Sequence, residues 1–338
     1  ATKAASNATF KAQKRKVKQK AIENAIALKK FNDLQELLNN YKNNSGDIDS
    51  ALGFRSLHGK SNGPRIITNL EIRQKSIYGD LAKEMGELME KYAAPLVRKW
   101  KRANPQSIVE ELFSPGSTGN KGAEIMAKAV SEIFEKARVM LAKQGVLITK
   151  DVNWKMPQVH NVNRIKKWQK KVNDKNNDQY VTFIKNLLDK SKMKDDKTGF
   201  TFDLLPEEVF DQAIRASLRN ILTDGLGVGK KTGLKKFAES RFLIFKDAES
   251  FNAYNTKFGD DPVMMIYSHL DMMSRAIAET QIFGPKPNIV RNSLKKWLQE
   301  KSFETRLTKR KKIGKIIPRQ EEISRTNTFI KQADIQYD

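Results

Sequence analysis

Apolar residues recur at every third or fourth position along most of this chain, a period that admits helices and little else. Leu34, Leu37, Leu38 and Tyr41 stand at i, i+3, i+4 and i+7, and Ile22, Ala25 and Ile26 continue the stripe upstream, which predicts a helix over 8–43. Ile77, Leu81, Met85, Leu88 and Tyr92 predict a second, from Asn69 or Ser76 to about Lys101, with Pro95 kinking it or ending it early. Ser107 and Glu110 have capping-box spacing ahead of a short helix that SPGSTGN ends. Met126, Val130, Ile133, Ala137 and Met140 predict a helix over 123–144, stopped by Gly145. Further helices are expected at 163–172, 179–190, 206–222, 248–257 and 262–281, and one more after Ser293. Pro206, Glu207 and Glu208 make a helix start, because proline tolerates the first turn and acids favour the positive end of the helix dipole.

Only FLIF at 242–245 and GVLITKDVNWKMPQ at 145–158 have the character of a short strand or an extended arm. The fold class expected is therefore mainly α: an elongated multi-helix assembly with at most a short strand or two and basic terminal arms. Along the chain this reads as a basic N-terminal helix and arm at 1–50, a linker at 51–70 within an irregular stretch from 44, a helical core at 71–290, and a basic C-terminal helix and tail at 291–338.

The helices carry more charge than their cores need. Of 338 residues, 39% are hydrophobic and 30% charged, and the net charge is +24. Residues 1–60 hold 12 basic and 5 acidic side chains, and residues 291–338 hold 13 and 6. Such a chain attracts polyanions, nucleic acid or an anionic membrane surface foremost. Lys11, Lys14, Arg15, Lys16, Lys18 and Lys20 near the start, and Lys309, Arg310, Lys311 and Lys312 near the end, are lysine-rich runs suited to backbone phosphates and carry no base-reading pattern. There is no cysteine, so neither disulfides nor thiolate metal sites enter the fold. No apolar run reaches transmembrane length, and a soluble protein is expected. The start at Ala1 fits removal of an initiator Met or excision from a longer chain.

DGLGVGKKTGLKK at 224–236 invites comparison with a phosphate-binding loop. That loop needs glycine five residues before its G-K pair, a hydroxyl residue after the lysine, and a preceding strand. Asp224 and Lys231 occupy those two positions, and the preceding AIRASLRNIL reads as helix. The better reading is a basic loop, with Lys230, Lys231, Lys235 and Lys236 able to meet DNA. His58, His160 and His269 are scattered, and His269 with Asp271 and Glu279 could hold a metal only with ligands from elsewhere; a helix with a polar side is preferred. No catalytic, cofactor-binding or metal residue is assigned. Trp100, Trp168 and Trp297 sit beside basic pairs in RKWK, KKWQKK and KKWLQ, a setting that suits stacking on bases, cation–π contacts or a membrane interface; the preferred reading is anchors of helices whose other side is lysine, with those lysines available to phosphates.

Residues 241–287 carry a distinctive order: Arg241, then Phe245, Lys246, Asp247, Ala248 and Glu249, then Tyr254, Asn255, Phe258 and Gly259, a helix, and Gly284, Pro285 and Pro287. This order resembles a module in the large internal virion proteins of short-tailed bacteriophages, and the likeness extends in segment order over about residues 50–290. The resemblance implies a non-enzymatic structural protein held inside the capsid or the portal and tail channel, then ejected into the host cell envelope with the genome. Its implied partners are phage DNA, contacted non-specifically, and portal or other ejection proteins, with self-association and transient contact with the host envelope; no cofactor is implied. A lytic transglycosylase segment found in some members has no counterpart here. The alternative expectation is a sequence-independent nucleic-acid-binding or packaging protein; a nucleotide hydrolase or metal-dependent nuclease rests only on the glycine loop and the His269 to Glu279 helix.

Overall fold

The computed structural model describes residues 2–59, 69–93, 104–146, 148, 155–195, 198–223, 243–313, 324 and 326–333. They fold as α1 (Thr2–Asn40), α2 (Ser50–His58), α3 (Leu70–Ala93), α4 (Pro105–Phe113), α5 (Lys121–Lys143), α6 (Val162–Lys171), α7 (Asp178–Leu187), a 3₁₀ turn (Phe202–Leu204), α8 (Glu207–Leu222), α9 (Ala248–Phe258), α10 (Pro262–Phe283) and α11 (Pro287–Ile313). Residues 326–333 add a final helical stretch. Among the described residues there is no sheet, only isolated bridges at Lys42 with Ile48, Leu188 with Phe245 and Lys194 with Thr201. The mainly α class expected from the apolar period is the one observed.

The helix ends follow local chemistry. The Asn120 side chain accepts from the backbone N–H of Gly122 and Ala123 to open α5, and Gly145 ends it at φ +85, where a glycine alone is unstrained. The expected capping box at Ser107 and Glu110 is not the start of α4. Asn104 caps it by accepting from Gln106 N–H at 3.1 Å, with Pro105 in the first turn. An Asn-Pro pair is the stronger start, so the helix begins upstream and Ser107 lies within it.

The stretch expected as linker contains α2. Asp49 accepts from Leu52 N–H at 2.9 Å to cap it, and Phe54 and Leu57 are fully buried. Gly53, which reads as a breaker, is there for contact: a Cβ would come within 2.8 Å of the Tyr41 ring. FLIF is corrected too. Leu243, Ile244 and Phe245 are buried, but pairing stops after Asp189 N–H to Ile244 O (2.9 Å) and Lys246 N–H to Leu187 O (3.0 Å). The partner residues are the exit of α7, which has no strand to extend the ladder.

The chain divides into two compact units that interleave in sequence. Unit 1 comprises 1–78, 138–148 and 274–338, and unit 2 comprises 79–137 and 149–273. In unit 1, α1 packs along α11. Lys286 donates to Asn24 at 2.5 Å and Lys301 donates to Asn39, both pairs 262 residues apart, so the two helices run parallel and in register. Gly284, at φ +81, leaves room for Lys30, whose ammonium donates to the Gln281 carbonyl at 2.7 Å. In unit 2, Phe258 is the centre of an aromatic cluster drawn from α6, α7 and α9. Trp168, Tyr180, Phe183 and Tyr254 lie with ring centroids 5.3, 5.4, 5.8 and 5.5 Å from it.

The end of α9 is closed by a tight loop. Gly259 N–H donates to the Asn255 carbonyl at 2.8 Å, and the Asn255 side chain donates to the Asp260 carbonyl at 2.7 Å. A Cβ on Gly259 would lie 1.7 Å from Asn255 Oδ1, which that bond holds in place. Gly259→Ala is therefore expected to cost about 1–3 kcal/mol in chemical denaturation. Combining it with Asn255→Ala should cost less than the two changes summed; full additivity would show that the loop is not closed this way.

Candidate nucleic-acid interface

The parallel register of α1 and α11 decides where the predicted basic runs stand. Residue 311 of α11 corresponds to position 49 on the axis of α1, given the offset of 262. At a rise of about 1.5 Å per residue, it lies roughly 50 Å along the pair from Arg15. The two runs thus occupy opposite ends, a span of about 15 base pairs of B-DNA at ~3.4 Å per step. Lys14, Arg15, Lys18 and Lys20 are exposed on α1. The side chains of Lys11 and Lys16, and those of Lys309, Arg310, Lys311 and Lys312 in the last turns of α11, lie outside the description. Lys230, Lys231, Lys235, Lys236 and Arg241 lie outside the described residues altogether, as does the glycine-rich stretch.

Between those ends Lys286 and Lys301 are committed to the fold. Lys286 donates to Asn24 and stands 3.6 Å from Glu23. Lys301 donates to Ser50 at 2.9 Å and to Asn39, and burial pushes its ammonium pKa down.

The three histidines are separate structural elements. His58 is buried, and its Nδ1 meets the Phe54 carbonyl at 2.8 Å. A carbonyl only accepts, so Nδ1 carries the proton, and Nε2 is left to accept from Arg291 Nε at 2.9 Å. His160 Nδ1 lies 2.6 Å from the Tyr254 hydroxyl. Burial pushes His160 down to about 4 and Tyr180 up to about 12, and raises Tyr254 well above its ordinary value, so all three are neutral near pH 7. His269 is buried with its ring 5.0 Å from Phe134, whereas Asp271 on the same helix is exposed. Glu279 receives Arg275 Nε at 3.1 Å. Among the described residues no cluster of three or more His, Asp or Glu side chains could hold a metal.

The motif residues divide between the units. Phe245 bridges to Leu188, and Lys246 donates its ammonium to the Asn186 carbonyl at 2.7 Å. Asp247 caps α9 by accepting from Ser250 N–H at 2.7 Å. Tyr254 and Phe258 enter the aromatic cluster, Asn255 closes on Gly259, and Arg164 of α6 donates to the Gly259 carbonyl at 2.7 Å. Gly284, Pro285 and Pro287 belong to unit 1, where they turn the chain from α10 into α11. The segment from Phe245 to Gly259 is thus a set of caps and clasps.

Trp168 is half-buried with its ring edge-on to Phe258, which makes it a core anchor, and Trp297 is half-buried beneath Lys301, 5.0 Å from its ring centroid. Trp100 lies outside the described residues. Comparison of the chain with known protein families, curated proteins and solved structures finds no match. The His58–Arg291 pair was invisible in the sequence, since its members are 233 residues apart and neither sits in a motif. The same is true of His160 with Tyr254, 94 residues apart.

A neutral, half-buried imidazole sets a pH dependence. His160 titrates near 6.5 in an unfolded chain and near 4 in the fold. Its contribution is whole above about pH 6.5 and is lost as pH falls toward 4, by at most about 3 kcal/mol. Unfolding measured from pH 7.5 down to 4 should show the wild type losing more stability than His160→Gln, whose amide can still pair with the Tyr254 hydroxyl. Parallel curves would remove the neutral-histidine reading.

Proposed function

We propose that this chain is a non-enzymatic structural protein of a tailed bacteriophage particle, held beside the genome inside the capsid or the portal and tail channel and expelled with it. The observation that carries the DNA contact is the α1–α11 pair, which sets lysine runs about 50 Å apart on a chain of net charge +24. Such an arrangement suits a rod of phosphate, and it reads no bases. The helical body would join copies of itself and portal or other ejection proteins. The ejection setting rests on the resemblance of residues 241–287 to internal virion proteins, and the histidines, each engaged with the fold, support a mechanical role.

The test has two arms. Purified chain is expected to bind duplex DNA of unrelated sequences equally, with log K falling steeply against log salt, by a slope of about −0.9 for each phosphate neutralised. Particles analysed before and after genome release are expected to contain the chain only while full. DNA binding by a chain absent from particles would favour a packaging factor; retention in emptied particles would end the ejection reading.

A further inference from the structure

The lysines beside Trp168, which the sequence leaves available to phosphates, form a concentrated exposed charge among the described residues of unit 2. α6 holds Lys166, Lys167, Lys170 and Lys171, all exposed, within ten residues, and Ile165 is its one fully buried side chain. At about 100° per residue, the four lysines fall within an arc of roughly 140°, and Ile165 lies almost diametrically opposite. Two like-charged pairs at i, i+4 therefore share one face, an arrangement that weakens a helix in the absence of a partner.

Local acids do not neutralise this face. From 155 to 177 the chain has seven basic residues and one acid, Asp174. Asp174 is buried and turned to the N-terminus of α7, where its two oxygens accept from the backbone N–H of Gln179 (3.0 Å) and Tyr180 (2.9 Å). Asp178, the next acid, is paired with Arg215. Among the described residues, no ion-pair partner faces any of the four lysines.

We propose that this face of α6 is a second nucleic-acid site, taking the phosphates of a DNA or RNA backbone without regard to sequence. The inference rests on the reading of the chain as a DNA-contacting protein and places the contact in unit 2 as well as on the arms. An anionic membrane is the other polyanion to weigh. An interfacial helix, however, buries its own apolar face in the lipid. On α6 that face is occupied, because Ile165 is buried and Trp168 packs edge-on against Phe258. Lys257 lies over the Phe183 ring at 3.8 Å and reaches within 6.0 Å of the Trp168 ring centroid, adding a cation at the aromatic edge. What remains outward is charge on a rigid helix, which is what a phosphate backbone requires.

The experiment compares the full chain with three variants by duplex binding over a salt series: Lys166, Lys167, Lys170 and Lys171 all to Gln; the same four to Arg; and Lys14, Arg15, Lys18 and Lys20 to Gln. Circular dichroism and thermal melting confirm that each variant folds, which is expected since the changed side chains are exposed. The α6 Gln variant should bind at least 10-fold more weakly at about 0.1 M salt, its salt slope should be shallower by about 3 to 4, and the Arg variant should match the wild type. An unchanged slope for the α6 Gln variant, with the α1 variant weakened, overturns the α6 site and leaves the proposed function standing. Absence of binding by the wild type at low salt removes both. Loss by the α6 Gln variant of binding to vesicles rich in phosphatidylserine, with DNA binding intact, overturns the site in favour of a membrane.

Discussion

Long cationic side chains reach across this fold to backbone carbonyl oxygens at helix ends and in loops. Lys30 ends on the Gln281 carbonyl, Lys246 on that of Asn186 and Arg164 on that of Gly259, while Arg138 ends on the Ile148 carbonyl at 2.8 Å. Each bond ties down a carbonyl outside regular helix pairing, and for the half-buried Lys30 and Arg138 it also offsets part of the cost of leaving water. With 63 Lys and Arg, a fold that could not do this would have to turn every basic residue outward and give up the packing of their aliphatic stems. The surplus left after these placements is what the surface offers to a polyanion.

Much of the fold was legible because helix periodicity and end signals are local. Gly145 marks the end of α5 in sequence as in structure, and Pro206 with its two acids marks the start of α8. The failures were also local in origin. Gly53 carries the signature of a breaker, yet its missing side chain admits Tyr41, and whether a glycine serves a turn or a contact depends on a neighbour outside its own segment. The interleaved units lay beyond reach for the same reason: α3, α5 and α10 each contribute to both, so no shift in composition marks a boundary.

The lysine runs proposed as an interface were legible in the sequence, and their spacing in the fold was not. Counting lysines located the two terminal runs, but only the parallel register of α1 and α11 sets them at opposite ends of one pair. The α6 lysines were read as the solvated side of a tryptophan-anchored helix, and that reading of Trp168 holds in the structure. What it could not include is the diversion of Asp174 to the α7 N-terminus, because the direction of a carboxylate is set by a loop with left-handed residues at Asn173 and Asn177 (φ 54 and 65).

The two ends of the α1–α11 pair differ in what a polyanion would do to them. Positions 309–312 fall in the last two turns of α11, toward the negative end of the helix dipole, where positive charge is favoured in general. On α1 the basic run begins well inside the helix, and no acid occurs before Glu23. Lys14 and Lys18 are a like-charged, exposed pair at i, i+4, which costs about 0.2–0.5 kcal/mol. Phosphates along that face would remove the repulsion, and by linkage a ligand that relieves strain in the helix stabilises it. Were DNA the partner, as proposed, its contact would be coupled to the helicity of α1 more than to that of α11.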